Sequence, residues 1–249
     1  MRILLIQFRP DPIMAAHELE IIVRFSNRPA TDFVVVDATR DELSAGLLDG
    51  ADAIVLGGSG DYLISRGDIP EILTDLKPIL EEARRGSFPT LGICFGAQIL
   101  THAFGGRVEK DEARAEVGTF LVTKTDAGHG DELFRDLPPS FDAQLGHKDH
   151  LTVLPEGAVH LASSERSVHQ AWKFSDAPVY ALTFHPELDE EGVLYRVDYY
   201  AKEYKFTPET VATMRAALRP SPEASTILRK FLSTFSGEDN VWKKMSESA

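Results

Sequence analysis

The segment Pro89-Thr90-Leu91-Gly92-Ile93-Cys94-Phe95-Gly96 passes from strand to helix with no room for a loop. Residues 89–93 read as a short buried strand, and the chain from Phe95 to about Phe104 reads as a helix. The same alternation runs upstream. Residues 3–8, 33–36 and 53–56 are apolar or β-branched runs of strand length. Between them, Leu19, Ile22, Val23 and Ser26 recur at helical spacing. So do Ile69, Ile72, Leu73, Leu76, Leu80 and Ala83, with Pro78 expected to kink that helix. Apolar strands alternating with helices need crossover connections. They predict an α/β domain whose central, mostly parallel sheet is covered by helices on both faces.

The texture changes after Gly105-Gly106. Residues 107–109, 118–124, 141–145, 159–163, 169–174 and 179–184 are strand-like pieces separated by short loops, which predicts antiparallel strands added to the parallel core. Farther on, Val193, Leu194, Val197, Ala201 and Tyr204 share a helical face. Thr207-Pro208-Glu209 and Ser221-Pro222-Glu223 each read as a cap with proline at the first helical position. Ile227, Leu228, Phe231 and Leu232 make a final amphipathic helix. The expected organisation is one domain over 1–235, with a helical insertion at 188–225 and a frayed tail at 236–249.

Composition narrows the function classes. With 249 residues, 43% hydrophobic and 26% charged, the chain is ordinary globular material. A net charge of -13 repels phosphate backbones and anionic lipid, and no basic run exceeds Lys243-Lys244. Neither nucleic acid nor membrane is therefore an expected partner. A single cysteine forbids an internal disulfide. The N-terminal apolar run is too short for a signal peptide, so a cytoplasmic location is expected.

That cysteine lies in G-x-C-x-G. A sharp strand-to-helix turn pushes its side chain outward, flanking glycines make room for the backbone, and the helix N-terminus favours a thiolate. A lone cysteine can equally be a small buried hydrophobe, so the reading depends on a base elsewhere. Among eight histidines, His185 ends an apolar strand and is followed by Pro186-Glu187. Side chains two apart on extended chain share a face, so Glu187 can orient the imidazole in a Cys94–His185–Glu187 triad. Gly57-Gly58-Ser59-Gly60 follows a strand and should lie at the same sheet edge. The N–H groups of Gly58 and Phe95 are the expected oxyanion donors. His147-Lys148-Asp149-His150 matches no strong zinc spacing, and His129 reads as an exposed loop residue. Neither a metal nor an organic cofactor is expected.

These elements, in this order, resemble the class I (triad) glutamine amidotransferases. Gly92 to Gln98 is similar to their nucleophile motif, Phe184-His185-Pro186-Glu187 to their His-Pro-Glu motif, and Gly57-Gly58 to their oxyanion loop. Within the family the resemblance is to the amidotransferase domain of GMP synthase and to stand-alone relatives that include γ-glutamyl peptidases. It implies a flavodoxin-like fold and attack by Cys94 on the glutamine side-chain amide. It also implies that Gln98 touches the substrate, and that Glu116-Val117-Gly118 matches a segment holding the substrate backbone, with valine in place of an aromatic residue. Gly146-His147-Lys148-Asp149 departs from the family's Ser-His-Gly-Asp, so His147 carries over only as a substrate-side candidate.

Three functions follow as expectations. The first is glutamine hydrolysis supplying ammonia to a separate ATP-dependent synthetase subunit, since no phosphate loop is found in the chain. The second is hydrolysis of a γ-glutamyl peptide, which needs no partner. The third is a non-catalytic binding protein of the same fold.

Overall fold

A computed structural model describes residues 1–201 and 206–235. The strands are β1 (Ile3–Gln7), β2 (Phe33–Asp37), β3 (Ala53–Leu56), β4 (Thr90–Ile93), β5 (Arg107–Lys110) and β6 (Glu116–Lys124), then β7 (Ser140–His147), β8 (Asp149–Val153), β9 (Ala158–Ser164), β10 (Ala171–Phe174) and β11 (Val179–Leu182). The helices are α1 (Pro12–Ser26), α2 (Pro70–Arg85), α3 (Phe95–Ala103), α4 (Asp126–Gly130), α5 (Glu190–Tyr200), α6 (Pro208–Ala217) and α7 (Thr226–Phe235). One nine-stranded sheet has the order β2-β1-β3-β4-β11-β10-β9-β6-β7, and β5 pairs with β8 in a second, two-stranded sheet. Strands β2, β1, β3, β4 and β11 are mutually parallel. The remainder of the large sheet is antiparallel.

The strand period of two sets up two cores. On β1, Ile3 and Leu5 face a cluster that includes Ile22 of α1 and Ile227, Leu228 and Phe231 of α7. Leu4 and Ile6 point to the opposite face, where Leu76 and Leu80 of α2 and Ile99 and Leu100 of α3 cover them. This double coverage explains why the central strands are apolar without alternation.

Several expectations shift. Residues 149–153 form a strand that the polar sequence around His150 disguised. Ser221 does not cap a helix starting at Pro222. Its hydroxyl accepts from Gln144 Nε2 at 3.2 Å, and α7 begins at Thr226. Pro78 sits inside a continuous α2, and His129 is exposed but within α4. Thr207 does cap α6, accepting from Thr210 N–H at 3.2 Å. Tyr204 and the tail at 236–249 lie outside the described residues.

Candidate active site

Parallel strands β3, β4 and β11 end at one edge, with Leu56 registered to Gly92 and Leu182 to Ile93. Their carboxyl ends therefore present Gly57, Cys94 and His185 together. Ligand sites in open α/β sheets occupy this edge. The Cys94 N–H donates to the Leu182 carbonyl at 2.7 Å, and Gly96 N–H donates to Gly57 C=O at 3.0 Å, tying the turn to both neighbours. Cys94 itself takes φ 51°, ψ -102°, outside the regions a side-chain-bearing residue favours. Such strain persists only where surrounding structure enforces it. A Cβ on Gly92 would lie 2.6 Å from the Gly96 carbonyl, and one on Gly96 would overlap the Leu56 carbonyl. Both glycines are needed for the packing of helix against strand.

His185 is held from both sides. Its backbone N–H donates to Gln144 C=O at 2.8 Å, and its ring Nδ1 lies 2.7 Å from Glu187 Oε1. A carboxylate only accepts, so Nδ1 carries the proton and Nε2 is left for the hydrogen bond with Cys94. Burial alone would push the imidazolium down. Glu187 and Cys94 outweigh it and raise His185 from 6.5 to about 9. Burial likewise opposes a charged Glu187, but His185 and then Arg196 keep its carboxyl below the ordinary range.

Arg196 was not singled out in the sequence. It projects from α5, its Nη2 3.6 Å from Glu187 Oε1 and its Nη1 3.5 Å from His185 Nδ1. Its signal was position alone: the insertion starts directly after Glu187, and α5 brings Arg196 back over it. Arg9 and Glu18 were missed as well. They form a buried ion pair at 2.9 Å beside Gly58, where a Cβ would lie 3.1 Å from Arg9 Nη2 and 3.5 Å from His185 Cε1. Gly58 N–H, the expected oxyanion donor, donates to Glu18 Oε1 at 2.9 Å. Phe95 N–H, at the first residue of α3, belongs to the helix-terminal donors that have no intrahelical acceptor.

A cavity of about 520 Å³ opens over this edge, lined by Cys94, Phe95, Gln98, His185, Val117 and His147. That volume is typical of small-molecule sites. Gln98 is buried, and its Oε1 has no hydrogen-bond partner among the described residues. Glu116 and Gly118 do not line the cavity. Glu116 turns away, accepting from Ser164 Oγ at 2.7 Å and Gln170 Nε2 at 2.6 Å, while Gly118 takes φ 112° near Leu218.

A cysteine on a strand-to-helix elbow, at the carboxyl edge of a doubly covered parallel sheet, defines an architectural class. The model of the family described as glutamine amidotransferase class-I matches residues 20–192, and the chain belongs to that family. It is 34% identical over 153 residues to the glutamine-hydrolyzing GMP synthase of Thermosipho africanus, covering 61% of this chain and 26% of that protein. It is 32% identical over 146 residues to one subunit of the glutamine-hydrolyzing GMP synthase of Methanothermobacter thermautotrophicus, covering 59% of this chain and 70% of the relative. The chain thus spans about a quarter of the length of the Thermosipho protein. A solved glutamine amidotransferase from Thermotoga maritima shares the fold with TM-score 0.70 at 23% identity, covering 93% of this chain and 96% of the other.

Proposed function

We propose that the chain hydrolyses the γ-amide of a γ-glutamyl compound, glutamine first among them, through a Cys94 thioester. The observation that carries this reading is the continuous relay from Glu187 through His185 to Cys94, which lines the cavity. Cys94 Sγ attacks the side-chain carbonyl carbon, and the oxygen that gains the electron pair is met by the Phe95 N–H. His185, protonated, gives its Nε2 proton to the departing nitrogen as the C–N bond breaks, and ammonia leaves. Water then adds to the thioester as His185 takes its proton. Glutamate and free Cys94 are regenerated. Glu187 holds the imidazole in the tautomer both steps need, and Gln98 offers its free Oε1 to a donor on the substrate.

Gly58 joins as a second oxyanion donor only when its N–H is released from Glu18. Ammonia made here would be consumed by a separate ATP-dependent synthetase subunit. Relatives whose names make them one subunit of a GMP synthase support that reading.

A second substrate is favoured by the cavity's size. At about 520 Å³ it has room for a leaving amine larger than ammonia, as in a γ-glutamyl peptide. Its charge does not decide the matter, because Arg9, Arg66, Lys110 and Arg196 are paired with Glu18, Asp68, Glu112 and Glu187. Steady-state release of ammonia from glutamine, set against release of amino acid from γ-glutamyl dipeptides, separates the two. Cys94→Ala abolishes both activities if the reading holds. Either activity surviving in that variant overturns it.

A further inference from the structure

One buried cluster is left unused by this chemistry. Glu116 at the start of β6, His147 at the end of β7 and His150 on β8 each offer a ligand atom, all within 4.8 Å of one another. His150 is only 2% exposed, and neither of its ring nitrogens has a hydrogen-bond partner among the described residues. Two orphaned nitrogens on one buried ring are costly unless something binds them. Its neighbour His147, packed edge-on at 5.0 Å, compounds the problem. His147 Nδ1 lies 3.0 Å from the Asp149 carbonyl, which can only accept, so Nδ1 is the donor. In the neutral ring, the Nε2 lone pair then faces Glu116 Oε2 at 3.3 Å. A proton on Nε2 or a metal ion satisfies that contact, but a proton there leaves both nitrogens of His150 unserved.

We infer that Glu116, His147 and His150 form a binding site for a divalent transition-metal ion of the zinc class. Two imidazoles and one carboxylate are a recurrent three-ligand set for Zn²⁺, with the fourth position left to water. Zinc–ligand bonds of about 2.0–2.2 Å set ligand atoms roughly 3.4 Å apart in a tetrahedron, so the site closes by side-chain rotations of about an ångström. The surrounding contacts are those a metal site needs. The His147 bond to Asp149 fixes the ring's tautomer with Nε2 free, and Ser164 and Gln170 orient the Glu116 carboxylate. Of the nearby charges, Arg114 is already engaged by Asp111 at 2.7 Å. An ion here would join β6, β7 and β8 beneath the wall that carries Val117 and His147, clamping that side of the cavity.

The test uses the full chain carrying Cys94→Ala, which removes the one thiol that could bind zinc and makes the result independent of the proposed hydrolysis. After dialysis against a chelator, Zn²⁺ is titrated calorimetrically, and Co²⁺ is added separately as a spectroscopic probe of nitrogen ligation. One ion per chain is expected, with a rise in Tm on loading. His150→Ala should weaken binding by at least about 100-fold, since outer-shell losses alone reach that size. If His150→Ala fails to fold, His150→Gln, which keeps the bulk but not the imidazole, serves in its place. Absence of stoichiometric uptake would mean that a proton shared by Glu116 and His147 satisfies the cluster, and the inference falls. Uptake unchanged in the His150 variants overturns it equally.

Discussion

Replacing Glu187 by Gln keeps the shape of the side chain behind His185 and removes its charge. In the native protein the imidazolium is favoured by a rise from 6.5 to about 9, against the pull of burial. That rise corresponds to about 3 kcal/mol of preference for the proton. Glu187 is the strongest of the influences producing it. Without that carboxylate, burial is opposed by Cys94 alone and His185 falls from its raised value. Because the proposed chemistry needs a protonated His185 to expel the leaving nitrogen, the alkaline limb of kcat/KM should move down from near 9. A return to the ordinary 6.5 would by itself lower the protonated fraction at pH 8 roughly 30-fold. An amide that no longer enforces the tautomer brings the total loss to about 10³-fold. Ammonia release from glutamine, followed from pH 5 to pH 10 in both proteins, measures the shift directly. An alkaline limb still near 9 in Glu187→Gln, or a loss under about 10-fold at pH 8, would show that Glu187 does not set the protonation of His185.

The raised His185 value also links to stability: its contribution is complete below 6.5 and is lost as pH rises through about 9. Urea denaturation should therefore show the stability gap between wild type and His185→Ala narrowing over that window, and a gap constant in pH contradicts the linkage. Arg9→Met should cost about 3–5 kcal/mol, because it leaves the Glu18 carboxylate buried without its cation; a cost under about 1 kcal/mol would show the pair to be dispensable. Arg196→Met removes a charge that keeps Glu187 ionised, so the acid limb of the activity profile should move upward and kcat should fall. Partial recovery in Arg196→Lys is expected, and an unmoved acid limb would remove Arg196 from the site.

The parallel half of the fold was legible because each central strand is an unbroken apolar run next to a helix of clear period. Cys94 and His185 could be paired from sequence for the same reason. Strands of that kind end at a common edge, so an elbow after one and a histidine after another must approach. What could not be read is long-range and polar. Strand β8 carries Asp149 and His150, residues that resemble loop chemistry until Ser65 is seen binding the Asp149 carboxylate at 2.5 Å and 2.9 Å. The grouping of Glu116 with His147 and His150 depends on the β6–β7 pairing, where Glu116 is registered opposite His147. No linear spacing encodes it, so His147-Lys148-Asp149-His150 offered too few ligands when read along the chain. The engagement of Gly58 by Glu18 was hidden likewise, since a glycine loop gives no sign of which helix will reach it.

Mass measurement of the intact protein, after exposure to a glutamine-shaped electrophile, addresses the joint role of the sulfur and the imidazole most directly. A single adduct should form, map to Cys94, be suppressed by excess glutamine and form far more slowly in His185→Ala. Failure of Cys94 to react, or labelling at the same rate without His185, would contradict the account.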